Sequence, residues 1–155
     1  MAGFVSHFTN RLDVKGRVSI PAPFRAVLAR DGFEGLYCIS SAHCRAVDAG
    51  GNQLVAEIQN RAQQFAKLTP DHDMLAAALF GASEIIKIDG DGRMTLSDMI
   101  RDHAGLSDTV TFVGMDYKFQ IWEPEQFREY RAEAQKRALA MLSGQLPAPS
   151  QGEPV

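Results

Sequence analysis

The groups in this chain best suited to chemistry occur in two short runs, Asp13-Val-Lys-Gly-Arg17 and Asp89-Gly-Asp-Gly-Arg93, which share the pattern Asp-x-x-Gly-Arg. A short aspartate side chain accepts backbone N–H groups two residues on and so holds a turn. Gly16 and Gly92 supply the positive φ that such a turn needs. Arg17 and Arg93 then leave the turn at a fixed place, each with a planar fork of donors that fits a phosphate or the O6/N7 edge of guanine. That is the chemistry of nucleic-acid binding. Arg17 suits guanine and Lys15 suits phosphate, while Arg11 and Arg25 are weaker candidates and Arg25 can equally brace the loop. The plainer alternative is that each arginine only pairs with its own aspartate, since local ion pairs are common and carry little information.

Local charge separates the two runs. Between Met1 and Arg30 the basic residues are Arg11, Lys15, Arg17, Arg25 and Arg30, against the single acid Asp13. Between Glu84 and Ala104, Lys87, Arg93 and Arg101 face Glu84, Asp89, Asp91, Asp98 and Asp102. A polyanion therefore prefers the first run. The whole chain carries a net charge of −3, which argues against a uniformly basic binder and leaves local patches open. One small basic patch binds DNA weakly and is screened by salt. Several copies side by side bind far better, so useful affinity implies an oligomer.

Other chemistries fit less well. Asp89-Gly-Asp-Gly suggests a calcium loop, but an EF-hand needs Gly at its sixth position and Glu at its twelfth, where Met94 and Ile100 stand. Cys38, His43 and Cys44 lack a fourth zinc ligand, and half-buried strand thiols, reduced in the absence of an export signal, are the simpler reading. His7, His43, His72 and His103 are scattered, none in a recognisable catalytic motif, so no enzyme, cofactor or metal is expected. His103 is explained by a helix C-terminus. Phe119 and Trp122 at strand spacing belong to a core or an interface.

The elements that must position these turns follow from a duplication. At an offset of 76 residues, Phe4 falls on Phe80, Asp13 on Asp89, Gly16 on Gly92, Arg17 on Arg93 and Arg25 on Arg101. The same offset puts Val18-Ser-Ile20 on Met94-Thr-Leu96, and some twenty positions match in charge, glycine or apolar alternation. Each half reads as strand, turn, strand, short helix, then strand. The strands are expected at Phe8–Leu12, around Val18 and Ile20 and at Leu36–Ser40 in the first half. In the second they are expected at Ile85–Ile88, Met94–Leu96, Val110–Val113 and Phe119–Trp122. Pro21 and Pro23 start one short helix, carrying Phe24, Val27 and Leu28; Ser97 caps the other, which Gly105 ends.

Amphipathic helices are expected after each copy. Asn52–Leu68 carries Leu54, Val55, Ile58, Ala62, Phe65 and Ala66 on one stripe. A second helix starts at Thr69-Pro70 and runs through Leu79, and a third runs from Pro124 to about Leu142 with Phe127, Tyr130, Ala134, Ala138 and Met141 inward. The 155 residues, 45% hydrophobic and 23% charged, suit a globular chain. No apolar run approaches a membrane span, and with no export signal at the N-terminus the chain is expected in the cytoplasm. The expected divisions are 1–68, 69–142 and a disordered, proline-rich tail at 143–155.

At these residues the chain closely resembles the MraZ family of bacterial transcription regulators. The stretches that carry the resemblance are Leu12 to Pro21, Arg25, Asp89 to Arg93, Arg101-Asp-His-Ala-Gly-Leu106, Val113-Gly114 and Lys118-Phe-Gln-Ile-Trp122, within residues 1–142. The resemblance implies an α+β fold of tandem duplicated swapped hairpins, akin to AbrB-type regulators, as β-barrel half-domains with short helices and an amphipathic helix after each copy. It implies a cytoplasmic, nucleoid-associated protein that binds double-stranded promoter DNA at short direct repeats upstream of its own operon, among cell-division and cell-wall genes. It further implies a ring-shaped homo-oligomer, expected as an octamer, with Asp13, Arg17, Asp89 and Arg93 on the DNA-facing side. Residues 43–53 depart from the family, lacking its apolar, Trp-containing junction of strand and helix; Asp71–Leu79 lacks its usual basic residues. Both departures bear on subunit contacts more than on the DNA loop. The competing reading is a ring-forming protein-interaction scaffold in which the turns are purely structural.

Overall fold

The computed structural model describes residues 3–144, which divide into two compact units, one running to Pro124 and one beginning at Glu125. The first unit is mixed α+β. Its strands are β1 (His7–Arg11), β2 (Arg17–Ser19), β3 (Leu36–Ser40), β4 (Val47–Gly50), β5 (Ser83–Ile86), β6 (Arg93–Thr95), β7 (Thr109–Gly114) and β8 (Phe119–Trp122). Its helices are α1 (Ala22–Asp31), α2 (Asn52–Ala62), α3 (Pro70–Leu79) and α4 (Asp98–Ala104). A further helix, α5, spans Pro124–Leu142.

The helix ends follow local chemistry. α1 starts at Pro21 with a proline in its first turn and stops at Gly32, whose φ of 80° lets its N–H reach the Leu28 carbonyl. The Ser97 hydroxyl accepts the Ile100 N–H at the start of α4, and Thr69 does the same for His72 at the start of α3. No side chain of its own caps α2. Instead Asp31, the last residue of α1, accepts the Asn52 N–H at 2.7 Å, and its carbonyl accepts from the Asn52 amide. The end of one helix thus fixes the start of the next.

The strands pair antiparallel in a six-stranded sheet of order β1-β7-β8-β4-β3-β5, with β2 and β6 forming a separate ribbon. β1 pairs with β7 and β5 with β3, so the opening strand of each half lies beside a strand of the other half. The ribbon joins Arg17 to Thr95, Val18 to Met94 and Ser19 to Arg93. From it Val18 and Met94, followed by Ile20 and Leu96, enter a core shared with Phe24, Phe112 and Phe119. The Phe24 and Phe119 rings lie 5.0 Å apart, and Phe4 meets both edge-on. β3 is covered on both faces: Leu36 and Cys38 join this core, while Tyr37 and Ile39 pack with Leu54 and Ile58 of α2. Its unbroken apolar sequence follows from that double burial.

Several expectations need correction. The strands do not close into a barrel: β1 and β5 stand at opposite ends of the six-stranded sheet, and β2 and β6 are three residues long and pair only with each other. α2 stops at Ala62, six residues short of Leu68; Leu54, Ile58 and Ala62 are buried as expected, but Phe65 and Ala66 are exposed. Beyond Ala62 the chain turns, and Leu68 itself takes a positive φ of 63°, which ends helical continuity. On α5 Phe127 is buried, but Tyr130, Ala134 and Met141 are exposed; the stripe is hemmed by charges such as the Arg128–Glu125 pair. Residues 43–53 do form a strand leading into a helix, because β4 is paired on both sides, by β3 and β8. The expected tail lies outside the described residues except for Ser143 and Gly144, which turn at the end of α5. Both cysteines are free thiols; burial, with the Glu84 charge adding to it, pushes Cys38 far above the ordinary thiol range. Among the described residues no helix is long and apolar enough to cross a membrane.

β4 also carries a polar chain. Asp48 pairs with Lys118 at 3.1 Å, each side chain 16% exposed, and accepts the Gln120 amide at 2.8 Å; Gln120 in turn accepts from the Trp122 indole. Burial alone would lower the Lys118 ammonium, but the Asp48 carboxylate outweighs it and holds the group above its ordinary value of 10.5. Asp48→Ala strands a largely buried charge, so urea titration is expected to show a loss of about 3 kcal/mol. A raised folded value means that the Lys118 contribution is present below pH 10.5 and disappears as pH rises through the folded value. A midpoint unchanged by Asp48→Ala would show that the network carries no stability.

Candidate nucleic-acid interface

Both aspartate turns form as the residue types require. In the first, Asp13 Oδ1 accepts the N–H groups of Lys15 and Arg17, each at 2.9 Å. The backbone closes twice more, from Gly16 N–H to the Asp13 carbonyl at 3.0 Å and from Asp13 N–H to the Arg17 carbonyl at 2.9 Å. Gly16 sits at φ 81°. In the second turn Asp89 Oδ1 accepts from Asp91 and Arg93 at 2.8 and 3.0 Å, and Gly92 sits at φ 78°. The amide of the following arginine is the largest influence holding each carboxyl, Asp13 and Asp89, below the usual aspartate range.

Each arginine does pair with its own aspartate, but to different extents. Arg17 Nε donates to Asp13 Oδ2 at 2.8 Å, which orients the guanidinium and uses neither terminal nitrogen. Neither of those nitrogens has a partner among the described residues. Arg93 is held from two sides. Its Nε lies 3.3 Å from Asp89 Oδ2, too poorly aligned for a hydrogen bond, and its Nη2 donates to Asp91 Oδ2 at 3.2 Å. Asp91, the extra acid of the second turn, therefore occupies part of the fork that Arg17 leaves open.

The ribbon ties each turn to the other half. Leu96 N–H donates to the Gly16 carbonyl at 2.8 Å, and Ile20 N–H donates to the Gly92 carbonyl at 2.9 Å. Because β2 and β6 run antiparallel, the two turns stand at opposite ends of the ribbon. Asn10 secures the other end, beside the second turn, by donating its side-chain amide to the carbonyl of Ser19, the partner of Arg93. Lys15 is exposed on the first turn, and Arg11 is exposed at the end of β1.

Arg25 braces a loop, but the loop belongs to the other half. Its Nη1 donates to the Asp91 carbonyl at 3.2 Å, and its guanidinium lies over Gly92 so closely that a Cβ there would overlap it. Conversely Arg101 lies against Gly16, its Nη1 3.6 Å from where a Cβ would stand. Counting charge along the chain credits Arg25 to the first turn and Arg101 to the second; the fold exchanges them. The signal available in the sequence was the shared offset of the two arginines, which fixes their equivalence and not their partners.

Residues 79–142 match the family model described as "MraZ protein, putative antitoxin-like". The chain is similar to a "Transcriptional regulator MraZ" of Beijerinckia indica subsp. indica, 54% identical over 137 residues that cover 88% of this chain and 84% of the relative. A namesake from Xanthobacter autotrophicus is 53% identical, with 88% and 87% covered. Another from Rhizobium johnstonii is 38% identical over 144 residues, 93% of this chain and 98% of the relative.

Both glycines hold a φ that costs another residue about 1 kcal/mol or more. Gly16→Ala meets only ordinary contacts, whereas Gly92→Ala must also displace Arg25. Chemical denaturation is expected to rank Gly92→Ala as the more destabilised variant; the reverse order would contradict the placement of Arg25. Since their carboxyls lie low, Asp13 and Asp89 contribute stability above pH 3.8 that is lost as pH falls through their folded values. Carboxyl NMR titrations of both should have midpoints below that ordinary value, and a midpoint at or above it would contradict the turn geometry.

Proposed function

This chain belongs to the MraZ family, and from that premise we propose that it is a sequence-specific DNA-binding regulator of transcription whose first turn reads promoter DNA. The observation that carries the reading is the open end of Arg17. Its Nε is fixed by Asp13 while both terminal nitrogens remain available, which suits bidentate contact with guanine O6 and N7. Lys15, on the exposed tip, takes a backbone phosphate, and Arg11 flanks it. Asp13 and Gly16 hold the loop. Asp89 and Arg93 form a second, weaker contact, which Arg25 braces.

The pairing of β1 with β7 and of β5 with β3 supports a duplicated swapped hairpin, with repeats at 1–68 and 69–142. β5 is a free sheet edge carrying Ile85, 65% exposed, and α3 buries none of its residues, leaving Met74 72% exposed. Such apolar exposure supports self-association. Assembled as a ring, for which an octamer is the working number, the copies set their first turns side by side on direct repeats of duplex DNA. The targets are repeats upstream of the chain's own division and cell-wall gene cluster, and the protein works in the cytoplasm at the nucleoid. No catalytic step, cofactor or metal enters this role.

A mobility-shift titration with the duplex just upstream of the coding region tests the reading. Affinity should fall steeply with salt. Arg17→Ala should weaken binding by about 1–3 kcal/mol, with a smaller loss for Arg93→Ala. Binding that ignores salt and Arg17 would instead favour the scaffold with purely structural turns.

A further inference from the structure

We propose that Arg101, from the second half of the chain, is a DNA-binding residue of the first turn. The proposal rests on the reading of that turn as the DNA contact. The Arg101 guanidinium lies against Gly16, with Nη1 3.6 Å from where a Cβ would stand. The Leu96 N–H bond to the Gly16 carbonyl, at 2.8 Å, anchors the chain five residues before Arg101. Backbone pairing thus brings the start of α4 to the first turn, and the Arg101 guanidinium lies against Gly16, between Lys15 and Arg17 in the chain.

What Arg101 does not do is hold the turn. Arg25, its equivalent at the other end of the ribbon, donates Nη1 to the Asp91 carbonyl and so braces the loop it lies on. Arg101 donates Nη2 to Asp98 of its own helix, and among the described residues its Nη1 has no partner, while its Nε is buried and unpaired. Asp98 is 87% exposed, so the pair that restrains Arg101 is a surface pair of little worth. A phosphate also makes charge-assisted, bidentate bonds to a guanidinium, and a DNA backbone that carries many of them displaces one exposed carboxylate. One arginine therefore stabilises a turn, and its twin stands ready for an anion.

The test uses the full chain and the same upstream duplex, with affinity measured across salt concentrations. Arg101→Gln should bind about tenfold more weakly, with a log–log salt slope shallower by about one; Arg101→Lys should keep the slope. Asp98→Asn alters an exposed position and should tighten binding several-fold, a gain that shrinks in the Arg101→Gln background. If Arg17→Ala weakens binding while Arg101→Gln changes neither affinity nor slope, this proposal is overturned and the function stands. If neither variant matters, the DNA reading itself falls. Weaker binding at an unchanged slope, unrelieved by lysine, would make Arg101 a brace and overturn the proposal. Should Arg101→Gln fail to fold, an Asp98→Asn chain that binds no more tightly would overturn it equally.

Discussion

Two backbone bonds, Leu96 N–H to the Gly16 carbonyl and Ile20 N–H to the Gly92 carbonyl, bind each aspartate turn to the strand of the other half. They sit at the ends of a ribbon whose strands have three residues apiece. A pair that short is not stable alone. It persists because Val18, Ile20, Met94 and Leu96 are all buried among the phenylalanines of the core. Full burial of such a side chain is worth about 1.5–3 kcal/mol. The hydrophobic core therefore holds the turns in place, and neither turn can be assigned to one half alone.

From that constraint the electrostatics follow. The same five-residue pattern occurs twice, yet its arginines have different amounts of work within the fold. In the first turn a single acid orients Arg17 and leaves its terminal nitrogens open. In the second, Asp91 binds Arg93 through its side chain and Arg25 through its carbonyl. The added aspartate thus occupies part of the fork that the first turn leaves open. The basic character of the first turn rests on Lys15, Arg17 and the borrowed Arg101 more than on the run of basic residues along the N-terminal segment.

Much of this was legible in the sequence because it is local. Asp13, Gly16 and Arg17 dictate their turn whatever the rest of the chain does, and the offset of 76 places its twin. Short apolar runs gave β3 and β8 to the residue, and proline and serine gave the starts of α1, α3 and α4. What escaped is non-local. Val47-Asp-Ala-Gly50 has little strand propensity of its own and is a strand because β3 and β8 flank it. The apolar stripe past Ala62 did not prolong α2, because Phe65 and Ala66 find nothing to bury them. No residue pattern states that β1 chooses β7 or that Arg101 crosses to Gly16; those are choices of long-range pairing.

The central claim is that the first turn, completed by the second half, is the surface that meets duplex DNA. Hydrogen exchange followed by mass spectrometry, with and without the upstream duplex, locates that surface without any substitution. Protection gained in peptides covering residues 11–20 and 97–104, and less in those covering 89–93, is the expected result. Protection confined to residues 70–86, with none at 11–20, would contradict it.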